Sequence, residues 1–150
     1  MAGAASGGIH RGAGLMCPSA QPVMEGAYTV GVVGGTAREP HVRWIEKPLP
    51  VTRELLELAG PVEPTEVFRF AAPCAEAGCR HHDNDRCTLG DKLATLPVAV
   101  DVALLPKCTV RTACRWYAEQ GRQICLRCES VVTTDYRASP ALERAAKPLQ

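Results

Sequence analysis

Between Ala27 and Val51, larger apolar residues alternate with smaller ones, with Tyr28, Val30 and Val32 in one phase. That period of two predicts a strand. Gly34-Gly35 supplies a turn, and His41 to Ile45, with Val42, Trp44 and Ile45, suits the return strand of a hairpin that Pro48 and Pro50 end. The period then changes. Over Thr52 to Leu58, Leu55, Leu56 and Leu58 give one apolar side of a short helix. Thr52 is placed to cap it, Glu54 suits its first turn, and Gly60-Pro61 stop it. Glu66 to Ala72 (EVFRFAA) sets Val67, Phe68 and Phe70 around Arg69 and predicts another strand.

Further on, Leu89 to Leu96 reads as helical, and Pro97 to Leu105 is apolar enough for a buried strand or core helix. Thr112 to Gln120 is the best helix in the chain, with Thr112 as N-cap and Gly121 just past its end. Residues 1–26 are rich in Gly, Ala and Ser without a period, which predicts a disordered leader. Residues 133–150 predict a loose tail. The expected fold class is therefore α+β: a small irregular single domain. It has a β-hairpin scaffold over 27–72, a few short helices, and a cysteine-rich metal-binding half over 73–132.

Aromatic residues make up 5% of the chain, against 13 Gly and 12 Pro, so its core is thin for its length and a metal or cross-link would help it. Eight cysteines are present. No apolar run of about seven residues marks an export signal, and none approaches the roughly 18 of a membrane helix. These features place the chain in the cytoplasm, off the membrane, where clustered cysteines serve as ligands more often than as disulfides.

Seven cysteines form two groups, Cys74-x4-Cys79-x7-Cys87 and Cys108-x5-Cys114-x10-Cys125-x2-Cys128. Thiolates suit soft and borderline metals, and a two-residue gap lets both sulfurs of Cys125 and Cys128 face one centre. A helix over 112–120 puts Cys114 in its first turn, where a thiolate is favoured, and Gly121 turns the chain back towards Cys125. Cys108, Cys114, Cys125 and Cys128 are thus expected to converge. In the first group His82 completes a set with Cys74, Cys79 and Cys87, with Asp83 and Asp85 placed to orient an imidazole. A solvated loop is the other reading of His81 and His82. Cys17 lies in the leader, far from the rest, and reads as a spare exposed thiol.

Two tetrahedral zinc sites fit the ligand count. Irregular gaps and flanking Val110, Trp116, Ile124 and Leu126 suit a [4Fe–4S] cluster in a dry shell better. Nearby Arg80, Arg111, Arg115 and Arg127 are placed to offset its charge. We therefore favour iron–sulfur over zinc. The preferred function is an accessory or electron-transfer protein rather than an enzyme. A zinc-stabilised binding module comes second and a metal- or cysteine-dependent enzyme third. The net charge is +1, and Cys74 to Cys128 carries eight Lys/Arg against six Asp/Glu. Such balance argues against nucleic acid and leaves a protein as the expected partner.

Overall fold

A computed structural model of the chain describes residues 14–36, 39–98, 105, 107–133 and 144–145. The strands are β1 (Met16–Ala20), β2 (Tyr28–Gly35), β3 (Pro40–Pro50) and β4 (Phe68–Pro73), in one antiparallel sheet of order β1-β4-β2-β3. Helices α1 (Arg53–Glu57) and α2 (Pro64–Val67) lie between β3 and β4. A two-stranded hairpin follows, β5 (His82–Asp83) and β6 (Arg86–Cys87), and then α3 (Thr88–Leu93), α4 (Arg115–Gln120) and α5 (Arg122–Cys128). This is a small α+β domain. Among the described residues no helix is long and apolar enough to cross a membrane.

The predicted hairpin is β2–β3, with Gly34 opposite His41 and Gly35 opposite Pro40. Gly35 closes the turn at φ +77°, and a Cβ there would meet the Glu39 carbonyl oxygen, so glycine is required. Pro50 ends the return strand as expected, but Pro48 lies inside it. β3 runs on to Pro50 across a register shift, with Thr29 opposite Leu49 but Gly31 opposite Trp44. It lies at the sheet edge, where a missing N–H is tolerated. Helix α1 starts as the sequence predicts, with Thr52 Oγ1 accepting the Leu55 N–H at 3.1 Å.

Part of the expected leader is ordered sheet, which corrects the prediction. Met16–Ala20 pairs with β4, Cys17 lying opposite Ala72. A five-residue strand with Pro18 in its middle shows no period of its own, and the already apolar β4 supplies its register. Residues 1–13, most of the apolar 97–105 run and nearly all of the tail lie outside the described residues.

Both faces of the sheet are covered around β4. On one, Phe68, Phe70 and Ala72 pack with Leu55 and Leu56 of α1. On the other, Met16, Val30 and Ala71 join Leu93, Val110, Trp116 and Ile124 from the cysteine-rich half. A bridge between Met16 and Cys114 and the bond from Val42 N–H to the Glu129 carbonyl at 2.8 Å tie the two halves together. β4 is therefore buried on both sides, and Arg69, between two phenylalanines, points into the cysteine half.

Candidate metal centre

The residues from Cys108 to Cys128 fold as two short helices rather than the one predicted. Thr112 is not the cap: it sits in a 3₁₀ turn, Arg111–Ala113, and α4 starts after it. Cys114 is the N-cap, its Sγ accepting the Tyr117 N–H at 3.5 Å. Gly121, at φ +69°, turns the chain directly into α5. There Cys125 and Cys128 are three residues apart and share a face.

Cys108, Cys114, Cys125 and Cys128 line a single cavity together with Pro18, Trp44, Val110, Trp116 and Ile124. The four therefore lie around one cavity, together with most of the apolar residues expected to flank them. Leu126 is buried but does not line the cavity. Burial pushes the Cys108 thiol up to about 11, with the nearby Cys128 charge adding to it. The same two causes, in the same order, raise Cys114 further. Burial also raises Cys125, while the Arg111 guanidinium beside it pulls the other way.

The residue that the sequence did not disclose is Arg69. It is fully buried. Its Nε donates to the Pro18 carbonyl at 2.9 Å, and its Nη1 to the Cys128 and Val131 carbonyls at 3.0 and 2.6 Å. Its Nη2 donates to Cys128 Sγ at 3.1 Å. The guanidinium carbon lies 5.1 Å from the Trp44 ring centroid and 5.9 Å from that of Trp116. Among the described residues none of its partners is a carboxylate. A buried cation needs a nearby negative charge, and the group placed to supply one is the Cys128 sulfur. Thiolates gathered around a metal meet that need.

The other arginines divide. Arg111 acts on Cys125, and Arg115 lies against Cys74. Arg127 instead bonds the Leu96 and Gln123 carbonyls. Arg80 is within electrostatic range of His81.

Cys74, Cys79 and Cys87 lie at the other end of this half. Cys74 N–H continues the β1–β4 ladder by bonding the Leu15 carbonyl at 2.9 Å. Cys79 closes a 3₁₀ turn over Glu76–Gly78. Cys87 pairs with His82 in the small hairpin and donates its N–H to Glu119 Oε1 at 2.9 Å. His82 Nε2 sits 4.0 Å from Asp85 Oδ1, while His81 Nδ1 is buried and has no hydrogen-bond partner among the described residues. Burial first, then the Lys92 and Arg80 charges, keep the His81 ring towards its neutral form.

Cys17 is not the exposed thiol expected. Strand pairing half-buries it, and burial pushes its thiol up to about 12. Among the described residues, no three His, Cys, Asp or Glu side chains are drawn close enough to hold a single metal ion.

No known protein family, curated protein or solved structure matches this chain.

These thiols fix how the metal-free chain responds to pH. Cys17, Cys108 and Cys114 hold their protons more tightly folded than unfolded, where a thiol titrates near 9. Their contribution to stability is therefore whole below pH 9 and is lost as the pH climbs through about 11 and 12. Thermal melts of the reduced, metal-free chain are expected to show a falling midpoint between pH 9 and 11. A flat profile over that range rules out buried neutral thiols.

Proposed function

We propose that this protein carries a [4Fe–4S] cluster on Cys108, Cys114, Cys125 and Cys128 and serves as an electron-transfer or accessory protein in the cytoplasm. The observation that carries it is the cavity lined by four cysteines with a buried, carboxylate-free arginine bonded to one of them. The preference for a cluster over zinc rests on the irregular gaps between these cysteines and on the apolar residues beside them. Apolar walls of Val110, Trp116 and Ile124 would keep water from it, and the Tyr117 N–H and the Arg69 guanidinium donate to the Cys114 and Cys128 sulfurs that would hold it. Such bonds set the reduction potential of a cluster. When bound, the cluster would supply one-electron redox chemistry. The chain's own residues hold it, screen it and offset its charge.

The test is anaerobic purification with iron, acid-labile sulfide and zinc analysis and a visible spectrum. A brown protein with matching iron and sulfide is expected, with a broad absorption that bleaches on reduction. A colourless protein containing zinc, or no metal, overturns the proposal.

A further inference from the structure

We propose that Cys17, Cys74, Cys79 and Cys87 form a second four-cysteine centre, which takes its own iron–sulfur cluster. This rests on the iron–sulfur reading of the first centre. It replaces His82 by Cys17 as the fourth ligand of the first cysteine group.

The placement follows from strand pairing. Cys17 lies opposite Ala72, and Cys74 is two residues further along the β4 line. Side chains alternate along a strand, so Cys17 and Cys74 project from the same face at the same end of the ladder. Cys79 caps the 3₁₀ turn over Glu76–Gly78 that follows Cys74, and Cys87 closes the β5–β6 hairpin after it. The Cys17 thiol is within electrostatic range of Cys74, Cys87 and Cys79. Backbone donors point at this group as well: Glu76 N–H at Cys74 Sγ and His81 N–H at Cys79 Sγ, each at 3.4 Å.

A buried arginine again accompanies the sulfurs. Arg115 is 6% exposed and lies against Cys74, within range of Cys87. It is fixed by the Asp85 carbonyl at 2.6 Å and Glu119 Oε2 at 3.0 Å. The two centres thus share a plan: four cysteines, backbone N–H donors to sulfur, and one arginine held in place by the fold. All eight cysteines of the chain are then used. The competing role for Cys17 is that of a small apolar residue, since it also packs beside Phe70 and Ala72.

The experiment is iron and sulfide counting on the full chain, reconstituted anaerobically. Two four-iron clusters give about eight irons per chain. Cys17→Ser and Cys114→Ser are each expected to halve that count, and the double variant to abolish it. An unchanged count in Cys17→Ser, with Cys114→Ser losing its share, overturns this proposal alone. An iron-free wild-type chain overturns the first centre as well. A measurement that needs no variant is alkylation of the wild-type protein with iodoacetamide, mapped by mass spectrometry. Cys17 is expected to be protected in the loaded protein and modified once the iron is stripped. Equal labelling of Cys17 in both forms overturns the proposal.

Discussion

Replacing Arg69 by methionine is expected to lower the stability of the loaded protein by about 3 kcal/mol or more and to empty the Cys108 to Cys128 centre. The side chain gives hydrogen bonds to three carbonyls in the interior, those of Pro18, Cys128 and Val131. Leaving a buried acceptor unpaired costs on the order of 1–3 kcal/mol each, against a total stability of roughly 5–15 kcal/mol for a domain. Methionine fills much of the volume but supplies none of those bonds. It also removes the cation beside Cys128. Any cluster that persists is expected at a more negative reduction potential, because a positive charge nearby favours the reduced, more negative state. Arg69→Lys separates the two effects. It keeps the charge but not the planar fork that reaches four acceptors, so it should retain more iron than Arg69→Met while still melting early. Iron content, thermal melts and potentiometry on the three proteins decide the matter. An Arg69→Met protein with wild-type iron, melting point and potential would show that the guanidinium is a passive part of the core.

The reason Arg69 escaped notice in the sequence is physical. In EVFRFAA it alternates with Phe68 and Phe70, and in a sheet with one covered face that phase points to water. Here α1 covers the phenylalanine face and the cysteine half covers the other. Nothing local announces that second layer. Cys17 was hidden similarly. It is placed by pairing between β1 and β4, whose paired residues are fifty or more apart in the chain. A strand of five residues around Pro18 carries no period of its own.

What local pattern does encode was legible. The β2–β3 hairpin came from alternation and a double glycine, the start of α1 from the Thr52 cap, and β4 from its phenylalanines. That Cys108, Cys114, Cys125 and Cys128 would lie around one cavity was legible too, because Gly121 marks the reversal. The detail of that reversal was not. α5 is a helix in its own right, and its short run RQICLRC looks in isolation like the loop of a metal knuckle.

Trp116→Ala is expected to damage both cysteine groups at once, which no single cysteine substitution would do. Trp116 is among the largest fully buried side chains of the chain. Its ring lines the cavity of Cys108, Cys114, Cys125 and Cys128 and flanks the Arg69 guanidinium. Its indole Nε1 is buried without a hydrogen-bond partner among the described residues, and the indole is close enough to the Cys87 thiol to act on its proton affinity. Gly90 of α3 packs against the same ring so closely that a Cβ there would come within 3.0 Å of Cδ1. Removing a buried tryptophan typically costs about 3–5 kcal/mol, because the surroundings close the cavity only in part. Iron bound at both centres is expected to fall together. Trp116→Phe tests the separate role of the indole N–H. Phenylalanine keeps an aromatic wall beside the first centre and removes only the unpartnered indole N–H on the side of Cys87. It should hold iron at the Cys108 to Cys128 centre nearly as the wild type does, while the centre that includes Cys87 loads less fully or shifts in potential. Equal loss at both centres in Trp116→Phe would mean that the ring acts through its bulk alone, and equal retention would mean that the N–H has no part in holding either.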